Sequence, residues 1–402
     1  MKTLLMVGAG VMGRGYVDAA RRMGVRVVLV DLPPRRAIYG DIVDEFHDCP
    51  DPAEETWAAV ALDVAAECRP TGALAFSEPQ VLAAAWVQHA HGLAGPSLPA
   101  ALASRNKALQ RTLLRRGGVG QPEFHVVGAL DPTPALDWAE PRYPVVAKPL
   151  RSFGSLGVRL IRGRAELTAL LTDRWPDEPV LVEEYVDFPE YSWEALVQHG
   201  EVRFGSYTRK HTSGPPQFVE LGHVLPHPFD AGQRDLLDAE MRRAVAALGI
   251  ESALVHLEFR FDGSRVRVLE AAVRTPGDHL MDLLALAYRH DFFESTVRLA
   301  LGERLVHIPV AVAEAAVGFV TSAPGVIRSV DGLAEARAIP GVVRVTADLP
   351  EGAVVADLRS SADRVGHVVA ARTGGDAWEV VRAAQTAVTV SVATPEPVDA
   401  PS

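Results

Sequence analysis

VHLEFRFDGSRVRVLEAAVRTPGD, residues Val255 to Asp278, is the stretch that decides how this chain is read. The runs VHLEFRF and VRVLE both alternate apolar with polar residues, as strands do when one face is buried. Asp262 and Gly263 lie between them with the chemistry of a tight hairpin turn. The pattern predicts two adjacent antiparallel strands, Glu258 on the first and Glu270 on the second, with Arg274 and Gly277 just beyond. Two carboxylates ending neighbouring strands can converge on a hard divalent cation, which takes oxygen ligands and keeps nucleotide phosphates in its shell. An arginine four residues on would face the reacting anion. Taken alone, the same residues also fit an ordinary acidic surface hairpin with a solvated arginine.

Upstream, YPVVAKPLRSFGSLGVRLI delivers Lys148 at the end of an apolar run, followed by a loop containing Ser152, Gly154, Ser155 and Gly157. A lysine there acts as a point charge on phosphate, and small residues let backbone N–H groups approach the oxygens. No GxxxxGK[ST] run occurs, so this is not a Walker A loop. Further on, VLVEEYVDFPEYSWEALV supplies Glu183, Tyr185, Val186 and Glu190. The edge of such a strand can offer backbone groups to adenine and a carboxylate to ribose hydroxyls.

In this order, with Lys107 in SRNKALQRTLL ahead of them, these segments resemble the ATP-grasp superfamily of carboxylate–amine ligases over nearly the whole chain. Each motif is weak alone; their succession at family spacing carries the resemblance. It implies an α/β ATP-grasp fold, ATP and Mg²⁺ as cofactors, and specific roles. Lys107 and Lys148 would contact phosphates, residues 152 to 157 would form a mobile glycine-rich lid, and Glu183, Tyr185 and Val186 would line the adenine hinge. Glu190 would hold the ribose, Glu258 and Glu270 would ligate magnesium, and Arg274 with Gly277 would stabilise an acyl phosphate and the oxyanion that follows it. The family usually reads Glu-x-Asn-x-Arg after the second carboxylate, whereas here Ala272 stands at the Asn position and cannot coordinate metal.

Within the superfamily, QFVELGHVLP looks like the dipeptide-forming L-amino acid ligases, which carry a glutamate and a histidine three apart on a substrate-holding loop. Glu220 and His223 match. The carboxylate suits an ammonium group and the imidazole can donate to a carboxylate or phosphate; in isolation the pair also reads as a polar loop with an incidental histidine. A small peptide-like product, an antibiotic among the options, and homodimerisation are expectations from relatives only.

Composition agrees with a large soluble enzyme. At 402 residues the chain exceeds a single core. A net charge of −11 argues against nucleic acid as partner. Cys49 and Cys68 show no metal-like spacing, so reduced thiols and a cytoplasmic setting are expected. No signal peptide or membrane span is visible in the sequence.

The N-terminus carries a competing signal. MVGAGVMGRG places Gly8, Gly10 and Gly13 after a strand, and Asp31 ends the next, which is the dinucleotide fingerprint of NAD-dependent oxidoreductases. That function leaves Lys148, Glu258 and Glu270 unexplained, so the glycines are read as turn and helix-packing residues of a Rossmann-like N-terminal domain. The expected layout is residues 1–99 Rossmann-like, 100–180 a small ATP-grasp lobe, 181–302 a large lobe with metal and substrate site, 303–393 a small β-rich domain, and 394–402 a disordered tail. A helix near Asp235 to Leu248 reads as core packing through Leu236, Leu237, Met241, Val245 and Leu248. The leading function is an ADP-forming ligase joining a carboxylate to an amine. Other ATP-grasp chemistry, of carboxylase or purine-pathway type, is the alternative, although no Met-Lys-Met biotinylation motif occurs.

Overall fold

The computed structural model describes residues 1–10, 12–128, 132–152, 154–174 and 179–393; the expected disordered tail and Phe153 of the glycine-rich loop lie outside them. Strands β1 (Thr3–Val7), β2 (Arg26–Asp31), β3 (Glu45–Asp48) and β4 (Gly72–Ala75) form a parallel sheet in the order β3-β2-β1-β4. The runs Leu4–Val7 and Val27–Val30 are fully buried, as unbroken apolar strands between helical layers should be. Gly8 and Gly10 adopt φ of +69° and +56°, and a Cβ on Gly13 would meet the Ala9 carbonyl at 2.5 Å. These glycines turn the chain and let it pack. Asp31 is buried, accepting from Ala9 N at 2.8 Å and Leu32 N at 2.7 Å, so it staples the loop.

A second sheet holds β5 (Phe124–Val127), β6 (Val145–Pro149), β7 (Arg159–Ile161) and β8 (Val180–Glu184), all antiparallel, in the order β5-β8-β6-β7. The central sheet follows with β9 (Glu190–Gln198), β10 (Glu201–Thr212), β11 (Glu220–Leu225), β12 (Ala253–Phe261), β13 (Val266–Ala272) and β14 (Glu314–Val320). The chain ends in β15 (Gly325–Asp331), β16 (Val342–Ala347), β17 (Val354–Val355), β18 (Gly366–Arg372) and β19 (Thr389–Ala393). The central sheet has eight antiparallel strands ordered β13-β12-β9-β10-β11-β14-β18-β16, while β17, β15 and β19 form a small separate sheet. The β11–β14 ladder, with His223 opposite Val317, crosses the boundary expected near residue 302. Three C-terminal strands therefore extend the sheet that carries the site.

Alternation along β9 sorts the two faces of this sheet. Tyr191, Trp193, Ala195 and Val197 pack with Leu237, Met241, Val245 and Leu248 of the helix Ala231–Leu248. Glu190, Ser192 and Glu194 occupy the other face and reach the polar partners described below. Leu236, expected in the core, is 39% exposed. Among the described residues no helix is long and apolar enough to cross a membrane, and both cysteines are free.

Candidate functional site

The hairpin β12–β13 forms as its alternation requires. Asp262 Oδ1 accepts from Ser264 N at 3.0 Å and Arg265 N at 2.8 Å, and Gly263 takes φ of +100°. Glu258 and Glu270 are direct cross-strand partners. They face each other within the ladder, not at strand ends, because the register pairs them and shifts only after Glu258.

A cleft of about 140 Å³ lies between the β5–β8 sheet and the central sheet. One wall is apolar, from Val146, Val158, Tyr185, Val186, Phe218 and Leu269; the other carries Lys107, Lys148, Glu190, Glu258, Glu270 and Arg274. Lys107 opens the helix Lys107–Arg116, which Asn106 caps by accepting from Leu109 N. Its ammonium reaches Glu270 at 3.0 Å and the Ser152 carbonyl at 2.5 Å, tying the glycine-rich loop to the hairpin. In that loop Gly154, Ser155 and Gly157 adopt φ of 61°, 60° and 80°, and Ser155 Oγ donates to the Phe218 carbonyl at 3.2 Å.

Glu183 lies in β8, an internal strand hydrogen-bonded on both sides, and it lines the cleft from there. Its buried side chain meets Lys148 at 2.5 Å and takes a fork from Arg111 at 3.0 and 2.8 Å. Burial disfavours every charge here, yet Arg111 and Lys148 together hold the Glu183 carboxyl below its usual range. Lys148 in turn falls below the ordinary lysine value, because burial is reinforced by the neighbouring Arg111 guanidinium. Tyr185 and Val186 lie beyond the strand end and line the cleft with Glu183.

Lys210 of β10 lies where three carboxylates converge. Its buried ammonium lies 2.5 Å from Glu258, 3.0 Å from Glu190 and 3.4 Å from Glu220. Burial opposes the charge, but these carboxylates raise the Lys210 ammonium well above the ordinary lysine value. Glu190 also takes Arg260 at 2.9 Å. Beside it, the fully buried Glu194 accepts from Ser192 Oγ at 2.7 Å and Thr208 Oγ1 at 2.5 Å, and meets His256 Nδ1 at 2.9 Å. Burial works against an imidazolium at His256, but hydrogen bonds to Glu194 and Glu258 raise its pKa to about 9.

A second cavity of about 350 Å³ opens beyond Glu258, lined by Met12, Phe76, Glu78, Lys210, His223, Gly277, Asp278 and Ser361 among others. Both cavities share Gly154, Glu220, His256, Glu258 and Arg274 as a common wall. Glu220 and His223 lie on strand β11, not on a loop as expected. Residues three apart on a regular strand point to opposite faces. Here His223 pairs Lys210 and Glu220 pairs Thr212, with a register shift between, so the bulge returns both side chains to one face. Arg274 is anchored by Nε to Glu78 at 2.9 Å and Nη1 to the Thr275 carbonyl at 2.6 Å. Its remaining Nη2 has no hydrogen-bond partner among the described residues. Gly277 does not have positive φ and a Cβ there would meet nothing within 4 Å; the left-handed positions are Asp278 and His279, at 56° and 61°.

Among the described residues no group of three or more His, Cys, Asp or Glu is arranged to hold a metal. Glu258 and Glu270 nevertheless fit magnesium, which is commonly bound by one or two carboxylates with substrate phosphates completing its shell. Each carboxylate already faces an ammonium, Lys210 or Lys107. Ala272, at the position where the superfamily usually has Asn, is buried opposite His256. Sequence reasoning missed roles for Arg111, Glu194 and His256, because each acquires its partner through the register of distant strands. Glu78, which holds Arg274 and Arg105, comes from the N-terminal domain, where Ser77 Oγ donates to Gln80 Oε1 at 2.6 Å.

A family model of the ATP-grasp domain matches residues 141–282, and one of the L-amino acid ligase C-terminal domain 2 matches residues 318–393. The uncharacterized protein y4rH of Sinorhizobium fredii is 27% identical over 375 residues, covering 89% of this chain and 76% of that one. The L-arginine-specific L-amino acid ligase of Bacillus subtilis is 24% identical over 304 residues, 71% of each chain. In fold, the L-amino acid ligase of Bacillus licheniformis superposes with a TM-score of 0.84 at 22% identity, covering 98% of this chain and 99% of that one. Phosphoribosylglycinamide synthetase of Anaerococcus prevotii reaches 0.73 at 17% identity, covering 98% and 100%. With both family models matched in the order the chain requires, this protein belongs to the ATP-grasp superfamily of carboxylate–amine ligases, in the L-amino acid ligase group.

Proposed function

We propose that the protein binds ATP in the first cleft and an amino-acid carboxylate with an amine in the second, and joins them as an amide with release of ADP and phosphate. The observation that carries this reading is the common wall: Glu258, Arg274, Glu220 and His256 face both cavities, so a transferred phosphoryl group and a substrate carboxylate would meet there. The apolar slot between Val146, Val158, Phe218 and Leu269 suits a flat base, with Tyr185 and Val186 at its rim and Glu190 toward ribose hydroxyls. Lys107 and Lys148 would hold the phosphates, while Ser152, Gly154, Ser155 and Gly157 would cover them and exclude water. Magnesium held by Glu258 and Glu270 would neutralise phosphate charge when bound. Arg274 lines both cavities and would stabilise the acyl phosphate and the oxyanion formed when the amine attacks. Glu220 would take the ammonium group and His223 a carboxylate, with Gly277 lining the same space. The amine proton leaves as nitrogen attacks the acyl carbon, and phosphate departs with the bonding electrons. A dipeptide or similarly small amide, of the kind used in peptide natural products, belongs to the same proposal, as do a cytoplasmic setting and a homodimer.

The test is phosphate release from ATP and Mg²⁺ across pairs of amino acids, with mass spectrometry of active mixtures. A pair-dependent product lighter than the summed substrates by one water is expected. Glu270→Gln should fold and lose this turnover; equal turnover in that variant would remove the metal assignment. Phosphate release with bicarbonate or a phosphoribosyl amine, and none with amino acids, would favour the other ATP-grasp chemistries.

A further inference from the structure

Arg364 lines neither cavity, yet its whole guanidinium is committed toward the second. Nη2 donates to Asp278 Oδ1 at 2.6 Å and Nη1 to Oδ2 at 3.1 Å, a fork on one carboxylate. Nε donates to the Ser361 carbonyl at 2.8 Å, and the group lies 3.6 Å from the centre of the Phe319 ring. Asp278 Oδ2 also meets His223 Nε2 at 3.1 Å, which leaves His223 Nδ1 buried and without a partner among the described residues. From the same turn, Ser361 Oγ donates to Glu220 Oε2 at 3.1 Å. The two side chains read as holding the amino-acid substrate, 3 positions apart on β11, are thus each tethered to a segment some 140 residues downstream.

We propose that the turn Ser360–Arg364 positions the amino-acid site of the ligase reaction, Ser361 acting on Glu220 directly and Arg364 acting on His223 through Asp278. The inference rests on the ligase reading above. Asp278 and His279 both hold left-handed backbone without being glycine, a conformation that persists where surroundings over-determine it; the arginine fork supplies that constraint. Burial alone would raise the Asp278 carboxyl, but His223 and Arg364 keep it well below the usual carboxylate range, so the fork binds a charged group. The turn is itself rigid, since Asp363 Oδ2 accepts from Arg359 N, Ser360 N and Ser360 Oγ at 2.8 to 3.0 Å. Arg364 is a positioning residue: it touches neither nucleotide cleft nor substrate space. The C-terminal strands therefore contribute more than sheet area, because the substrate cavity is complete only when this turn is docked.

The test compares full-length wild type with Arg364→Ala, Arg364→Lys and Ser361→Ala, first by hydrogen–deuterium exchange without substrates and then by steady-state kinetics. In Arg364→Ala, exchange should rise across residues 277–282 while the β5–β8 sheet stays protected. The amino-acid KM should rise roughly tenfold to a hundredfold, as expected for a displaced positioning group, while the KM for ATP stays within about twofold. Arg364→Lys should recover only part of the loss, since an ammonium restores charge but not the fork. Ser361→Ala, which keeps the fold's ion pairs, should raise the amino-acid KM alone. Unchanged exchange over 277–282, or a parallel rise in both KM values, would overturn the proposal. Should wild type form no amide from any amino-acid pair, the ligase reading fails by itself. The exchange pattern then still decides whether Arg364 positions this cavity.

Discussion

Glu183, Lys148 and Arg111 form a buried trio with one more positive charge than negative. That excess suits an anion arriving at Lys148, and it makes the carboxylate the group the cluster can least lose. Replacing Glu183 with Gln would leave two buried cations unpaired, a loss of about 3–5 kcal/mol for breaking a buried pair. The expected outcome is a melting temperature several degrees lower by calorimetry at pH 7, with weakened ATP binding. A melt identical to wild type would show that the trio is not charged as described. At this scale the sequence was partly legible. Lys148, Glu258 and Glu270 stand out because alternation marks their strands and a turn signal separates two of them. Glu183 was noticed for its position, but its role depends on Arg111, 72 residues away, and on β8 having neighbours on both sides. Lys210 carries no local signal at all: its importance comes from four strands bringing Glu190, Glu220 and Glu258 around one ammonium.

The helix Ala231–Leu248 packs behind the sheet face opposite the site, which separates stability from activity at the element scale. It begins four residues before the expected start because Asp230 accepts from Gln233 N at 2.8 Å while Gln233 Oε1 accepts from Asp230 N, a capping box. Gly249 ends it at φ of 64°. Asp230→Ala should cost about 1 kcal/mol through the lost cap and leave ATP and amino-acid KM values unchanged. Thermal melts beside kinetics check this; a change in KM without a change in melting would contradict the placement of the helix behind the sheet. The same scale explains why β11 escaped recognition. Glu220 and His223 were placed on a loop because the resembling ligases carry such a pair on one, and the bulge opposite His211 and Thr212 is what reconciles three-residue spacing on a strand with a shared face.

Across the whole molecule, the C-terminal segment is joined to the central sheet by backbone ladders and by a docked helix, Ala377–Ala387. Small residues on the strands admit it: a Cβ on Gly222 would lie 2.5 Å from Trp378, and one on Gly318 would lie 2.3 Å from Val381. Trp378 stacks on His211 of β10 with ring centres 4.0 Å apart and planes within 3°. Burial, aided by Arg209, His223, Arg382 and His227, lowers the His211 pKa to about 4 from an ordinary 6.5. The sign follows from proton uptake. As pH falls below 6.5 the unfolded chain protonates this imidazole while the folded chain resists until about 4, so the unfolded state binds more protons and stability declines through that window. Above 6.5 His211 contributes no slope. His211→Phe, which keeps a ring for Trp378, should therefore melt with a shallower dependence on pH between 6.5 and 4 than wild type, the difference vanishing near neutrality. Because Ser361 lines the second cavity and Arg364 holds Asp278 from the same segment, acid exposure should also raise the wild-type amino-acid KM before it raises that for ATP, and less so in His211→Phe. Parallel melting curves for the two proteins across the window would mean that this stack does not couple protonation to the docking of the C-terminal helix.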